Sequence, residues 1–433
     1  MSGDVVPVRS MIPAASTITP RARFMTITAA FLGWMFDGME MGIFPLVARP
    51  ALQQMQAAAG IADEKFVQSW MGIVTALFLL GAAAGGLVFG WLGDRIGRVK
   101  AMTWSILAYS IFTGLCYFAT APWHLAALRF VAALGMGGEW ALGVALVMET
   151  WPSDKRPLMA GLIGAAANLG YCLIAMIGIF FPISNDSWRW VMMVGAAPAL
   201  LTFLIRLFVP ESEAWKASVK KSGKSSAMEV FSPALRKTTL LAIAFASVAL
   251  IVTWGIVQWI PLWADQMTGG KQPAVKAWSQ FWQSSGAAIG CMIAALVGGV
   301  VGRRITYFFL CLAALGVCQW LFRGFSEVTT GFFVAVFLTG LTTASFYGWL
   351  PLYLPEIFPT RVRATGQGLA FNSGRILAAA GAWQMPALMA FFKEKFPGVN
   401  SYAAAGETIA FVYVVGMILI WFAPETKGRP LPE

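Results

Sequence analysis

FMTITAAFLGWMFDGMEMGIFPLVA, residues 24–48, is apolar and long enough to cross a bilayer as a helix, which takes about 20 residues at ~1.5 Å rise each. Two acids, Asp37 and Glu40, fall near its middle. With Gly33 they stand at i, i+4 and i+7, so all three share one helical face. An ionised side chain at the bilayer centre costs about 2.5–3.5 kcal/mol even on a lenient insertion scale. The stripe must therefore face protein or water, beside a cation or carrying a proton.

The rest of the composition agrees with a lipid-embedded chain. Of 433 residues, 58% are hydrophobic and only 12% are charged, about half the charge that coats a soluble domain. The formal net charge of +11 is dispersed over short loops, with no continuous basic face for nucleic acid. Positive-inside loop asymmetry accounts for it better. Cys116, Cys172, Cys291, Cys311 and Cys318 lie in apolar runs without metal-ligand spacing, and His124 is the single histidine. No metal site or cofactor is expected. No nucleophile–base constellation appears, so an enzyme is not expected. Arg21 and Arg23 precede a run too long for a signal peptide, and that helix is expected to stay in the protein.

Residues 1–23 read as a cytoplasmic tail. Spanning segments follow near 24–48, 67–92, 100–120, 123–148, 158–182 and 189–209, then near 238–260, 277–301, 305–323, 329–354, 365–392 and 404–423. The expectation is an all-α membrane protein with twelve transmembrane helices in two six-helix bundles, 24–209 and 238–423. The basic stretch 210–237 becomes a cytoplasmic linker and 424–433 a cytoplasmic tail. The halves echo each other. Gly93-Asp94-Arg95-Ile-Gly97-Arg98 follows the second segment, and Gly299-Val-Val-Gly302-Arg303-Arg304 follows the eighth. Glu149-Thr-Trp-Pro152 with Arg156 follows the fourth, and Glu356-Ile-Phe-Pro359 with Arg361 the tenth. Pro210-Glu211-Ser212 follows the sixth, and Pro424-Glu425-Thr426 the twelfth. Copies on one side of the membrane mark repeats related by an axis along its normal.

These motifs resemble the major facilitator superfamily of secondary transporters. GDRIGR at 93–98 is similar to its loop signature. Arg129 with Gly135-Met-Gly-Gly-Glu139, together with the Glu149, Pro210, Glu356 and Pro424 motifs, resembles the sugar porters and their neighbours, the aromatic-acid:proton symporters and the nicotinate and sialate carriers. Asp37-Gly-Met-Glu40 is similar to the Asp-Gly-x-Asp of the aromatic-acid group. The glutamine-rich seventh-helix signature of the sugar porters is missing, and Thr253-Trp-Gly-Ile-Val-Gln258 stands in its place. The resemblance implies the major facilitator fold and a cytoplasmic gate latch at Asp94, Arg95 and Arg98, with Glu149/Arg156 and Glu356/Arg361 read as the same kind of latch. Marking topology is the alternative role for such loop charges. The resemblance also sets Arg129 opposite the first-helix acid Glu40, either as a proton-linked partner or as a permanent ion pair.

Asp37, Glu40 and Glu139 are acids near mid-depth, and with Arg129, set opposite Glu40 by the resemblance, they form the expected proton-coupling set. Glu40 is the expected carrier, with Asp37 tuning it or completing the site. Glu139 is either a third coupling acid or a backbone hydrogen-bonding partner. Arg375 lies halfway through the eleventh segment on a stripe with Gly368, Asn372, Ala379 and Ala382. No acid lies near it on its own helix, so it wants Asp37, Glu40 or a substrate anion. Asn372, Gln258 and Trp254 are expected to complete a substrate pocket. Asn168 and Tyr171 sit on a small-residue stripe that means close helix packing first, with substrate binding as their candidate further role. Gln280, Gln283 and Ser284 open the eighth segment and are expected at its outer mouth. The expected function is proton-coupled import of a small organic anion, a monocarboxylate with an aromatic acid as one option, by alternating access. A proton-coupled sugar or polyol carrier is the alternative, and a non-transporting sensor a further one. The partners expected are the substrate, protons and the lipid of the cell membrane. The chain is expected to act as a monomer with both termini cytoplasmic.

Overall fold

Thr19 caps the first helix by accepting a hydrogen bond from the Ala22 amide at 3.3 Å, and Pro20 supplies a pre-set φ at its first position. The helix then runs Pro20–Ala58, 39 residues, well past both ends of the apolar stretch. The computed structural model describes residues 19–61, 64–181, 183–184, 186–200, 205, 208–222, 227–269, 271–272 and 274–432. Most of the expected amino-terminal tail, the last turns of the sixth segment and positions 223–226 of the linker lie outside the described residues.

The other spans are Glu64–Ile96, Arg98–Leu115, Pro122–Thr150, Arg156–Phe180 and, sixth, the segment opening with Trp188–Val194. After the linker helix Glu213–Ser222 come Arg236–Gly255 continued by Ile260–Met267, then Val275–Val301, Arg303–Gly324 and Thr330–Thr343 continued by Phe346–Ile357. The eleventh is Arg363–Lys395, and the twelfth is Ser401–Ala410 continued by Val412–Leu419. Among the described residues there is no strand. Nine described helices, or ten counting the bent eleventh, are long and apolar enough to cross a membrane. The acid-bearing first helix and the partly described sixth segment complete the twelve-helix fold. The halves meet where the second span packs on the eleventh and the fifth on the eighth and tenth.

The repeats noted in the sequence build the same corner twice. Gly97 and Gly302 have φ of 110° and 120°, a backbone that side chains rarely adopt, and each turns the chain sharply between two spans. In the first half, Arg98 donates to the Gly93 carbonyl at 2.8 Å and to Glu149 at 3.1 Å, while its backbone amide donates to Glu211 at 2.9 Å. In the second, Arg303 donates to the Gly298 carbonyl at 2.8 Å and to Glu356 at 2.6 and 2.9 Å, and its amide to Glu425 at 3.0 Å. Ser212 donates to Glu149 as Thr426 does to Glu356. All these groups gather on one face of the bundle, called here the linker face.

Candidate functional site

On the linker face the first-half corner reaches across to the second half. Asp94 pairs with Arg98 and accepts from the Thr365 amide at 2.8 Å and from its hydroxyl. Arg98 also donates to the Thr360 carbonyl at 3.3 Å. Glu149 accepts from Arg363 at 3.2 Å, and Arg363 donates onward to the Pro432 carbonyl at 2.9 Å. Arg98, Glu149 and Arg363 are buried. The structure thus brings Asp94, Arg98 and Glu149 together but arranges the other expected latch residues differently. Arg95 lies over the Trp91 ring at 5.0 Å. Arg156 donates to the Met148 carbonyl at 3.3 Å rather than to Glu149. Arg361 pairs with Glu229 of the linker, and Glu356 with Arg303 instead. Arg363 and Thr365, two and four residues past the motif arginine, complete the network and carried no sequence signal of their own.

Outside the spanning helices the two anchoring glutamates differ. Burial lifts Glu211 above the usual glutamate range, despite the amides of Ser212, Val99 and Arg98. Burial pulls Glu425 the same way, but the amides of Arg303, Arg304, Lys427 and Thr426 hold it below that range. If Asp94 gates rather than binds, Asp94→Ala is expected to slow transport or bias the facing of the protein while substrate affinity changes little. Equilibrium binding measured beside turnover checks this. A large affinity loss at an unchanged facing would assign Asp94 to binding.

Deeper in the bundle the acid stripe divides in two. Glu40 is ion-paired with Arg129 and accepts from the Thr113 hydroxyl at 3.0 Å. The Arg129 guanidinium also lies over Phe44 and Phe78, at 5.2 and 4.5 Å from the ring centroids, which steadies a buried cation. Asp37 and Glu139 have no such partners. Both are buried, and all four of their carboxylate oxygens lack a hydrogen bond. Glu139 lies against Gly33, where a methyl group would collide with its carboxylate.

A central cavity of about 60 Å³ opens between the halves, room for a few water molecules as it stands. Trp254, Gln258, Asn168, Tyr171, Gln283 and Arg375 all line it. Gln258 sits where the seventh span is broken, between Gly255 and Ile260, by a short turn at Val257–Trp259. Irregular backbone at membrane depth is tolerated where it is buried in protein or lines a cavity. From there Gln258 donates to the Tyr171 hydroxyl at 2.8 Å. Asn168 donates to the Gly164 carbonyl at 3.1 Å while still facing the cavity. Gln280 and Ser284, expected at the outer mouth, are cavity residues as well.

Asn372 is not in the lining. Its amide donates to the Gly368 carbonyl at 2.8 Å and, across the halves, to the Gly137 carbonyl at 3.2 Å. Its oxygen accepts from Arg375 Nη1 at 2.6 Å, so it aims the arginine. A side chain at Gly86 would occupy the space of that amide. Arg375 also lies over the Phe371 ring at 5.0 Å. Its buried Nε has no partner, and among the described residues no carboxylate lies within 4.0 Å of it. Thr253, from the stretch that replaces the glutamine-rich signature, lines the cavity too, as do Trp34, Tyr347 and Phe371, which nothing distinguished among the many aromatic residues of the sequence.

The sequence profile of the Major Facilitator Superfamily matches residues 24–382. The chain belongs to that superfamily. It is 29% identical to the inner membrane metabolite transport protein YgcS of Escherichia coli, over 95% of this chain and 94% of that one. It is 26% identical to the cis,cis-muconate transport protein of Acinetobacter baylyi, over 89% of each. Among solved structures, the proton:xylose symporter XylE superposes with a TM-score of 0.76 at 16% identity, covering 95% of this chain and 98% of that one. This superfamily member is a multi-pass membrane transporter of small metabolites, not an enzyme.

Proposed function

We propose that the protein is a proton-coupled symporter that imports a small organic anion, a monocarboxylate or an aromatic acid, by alternating access. The observation that carries this reading is Arg375, a buried guanidinium facing the cavity with no carboxylate partner within 4.0 Å among the described residues. A cation held that deep needs an anion, and a guanidinium grips a carboxylate through two parallel hydrogen bonds. Trp254, Phe371 and Tyr347 give the cavity flat apolar walls for the rest of such a molecule. The similarity to a muconate transport protein points the same way. Protons enter through the buried acids of the first and fourth spans. The latch closes the linker face, which lies in the cytoplasm with both termini, and the chain works as a monomer in the cell membrane.

A second reading draws on Gln258, Gln280, Gln283 and Asn168, amides in the same cavity that suit hydroxyl groups. It makes the substrate a neutral sugar or polyol. Purified protein in liposomes separates the two. With an inside-alkaline gradient, labelled nicotinate or cis,cis-muconate is expected to accumulate, and a protonophore to abolish accumulation. Accumulation of xylose or glucose, without competition from carboxylates, would favour the second reading. Melting shifts against the same compounds give an independent measure, since a ligand of the folded state raises its melting temperature.

A further inference from the structure

Glu40 and the pair Asp37 and Glu139 share one region of the bundle but have opposite environments. Glu40 meets a cation and a hydroxyl, Arg129 and Thr113. Asp37 and Glu139 meet each other. The groups facing Asp37 are Glu139 of the fourth span, Tyr109 of the third, Glu40 on its own helix and Arg375 of the eleventh. Of these, Arg375 is the sole cation, and it lies beyond ion-pairing distance. The Tyr109 hydroxyl is fully buried and also lacks a hydrogen-bond partner. Two carboxylates, four orphaned oxygens and an unspent hydroxyl thus converge in the buried interior.

Two ionised carboxylates contain no donor, so neither can satisfy the other. Adjacent like charges also repel strongly where the dielectric is low. One proton removes both difficulties at once. The protonated oxygen donates to the opposing carboxylate, and the pair then carries one negative charge rather than two.

We propose that Asp37 and Glu139 hold one proton between them, as a carboxylic acid bonded to a carboxylate, and that this pair rather than Glu40 loads and unloads the transported proton. This deepens the proton-coupled reading above and rests on it. Loading adds one proton to two carboxylates, and unloading returns both to the ionised form. Glu40 keeps its bond to Arg129 throughout and holds the first and fourth spans in register. The position of the pair suits coupling. Glu139 lies two residues past Gly137, whose carbonyl receives the amide of Asn372, the residue that aims Arg375. A change in what Arg375 binds thus reaches the helix that carries half of the proton site.

Infrared difference spectroscopy of the purified protein, with no organic acid present, tests the pair directly. Near neutral pH the wild type is expected to show the carbonyl absorption of a protonated carboxyl group, shifted on exchange into heavy water. Glu40→Gln should keep that band. The double variant Asp37→Asn/Glu139→Gln should lose it, and so should Glu139→Gln alone, which leaves Asp37 ionised opposite Arg375. A band that persists in the double variant and vanishes in Glu40→Gln would overturn the proposal. So would a wild type with no such band, or one whose band disappears on adding sodium at fixed pH, which would mark a cation site. The wild-type measurements remain decisive if a variant fails to fold. Because no substrate is present, a missing band leaves the anion reading standing. Equally, failure to accumulate nicotinate in liposomes would remove the anion reading and leave the band standing.

Discussion

Arg375→Lys is expected to lose affinity for a carboxylate substrate by about 2–5 kcal/mol, or roughly 30-fold to several thousand-fold, while the folded protein melts close to the wild type. Lysine keeps the charge but offers a flexible point cation in place of a planar fork, so the two-point grip disappears. It also cannot reproduce the arrangement in which one guanidinium nitrogen is held by Asn372 Oδ1 at 2.6 Å while the rest of the group faces the cavity. Transport is expected to fail under any role for this residue, so equilibrium binding and melting are the deciding measurements. Normal binding of nicotinate or muconate with markedly earlier melting would make Arg375 structural and move the sugar reading ahead.

Glu149→Gln is expected to damage the protein in a way that Glu356→Gln does not. Glu149 is the buried anion between Arg98 and Arg363. Losing it leaves the buried Arg363 without a carboxylate and Arg98 with Asp94 alone, and breaking a buried pair typically costs about 3–5 kcal/mol. Because Arg98 and Arg363 belong to different halves, the loss should also release the linker face. Hydrogen exchange across 94–98 and 360–365 is expected to quicken, and the population open on that face to rise. Glu356 bonds Arg303 and Thr426 of its own half. Its substitution should lower stability with a smaller effect on facing. Equal effects of the two variants on exchange at 360–365 would show that the closure is not carried by Glu149.

The architecture was legible because lipid simplifies the problem. Uninterrupted apolar runs must be helices, and the paired loop motifs announce the repeat. The same physics made Arg375 and the acids conspicuous, since each charge at membrane depth is expensive. What stayed hidden depended on which side chain meets which. Arg129 and Glu40 came together as the resemblance implied, yet the sequence could not show that this leaves Asp37 facing Glu139. Arg156 and Arg361 looked like latch arginines by their place in the motif. Arg98, which was expected in the latch, bonds Glu149 together with Arg363, and Arg303 bonds Glu356, because the tight turns at Gly97 and Gly302 carry Arg98 and Arg303 inward to the carboxylates. Tyr347 and Thr253, bonded at 2.9 Å beside the cavity, became visible only once the halves were docked. The cavity position of Gln258 depends on a helix break between Gly255 and Pro261, residues that punctuate an apolar run without showing which side chain the turn presents.

The closure between the halves on the linker face has a counterpart at the opposite face, where a vestibule of about 750 Å³ is lined by Pro50, Gln53, Asp186, Asp265 and Lys276. With the linker face in the cytoplasm, as proposed, the molecule behaves as a check valve. Solute outside meets an open vestibule whose ion pair, Asp265 with Lys276, is more exposed than the latch. Solute inside must wait for Arg98, Glu149 and Arg363 to be rehydrated together. Such a carrier scavenges from dilute surroundings and leaks little of what it has gathered when the gradient fails, and efflux should accordingly be slower and more steeply temperature-dependent than uptake.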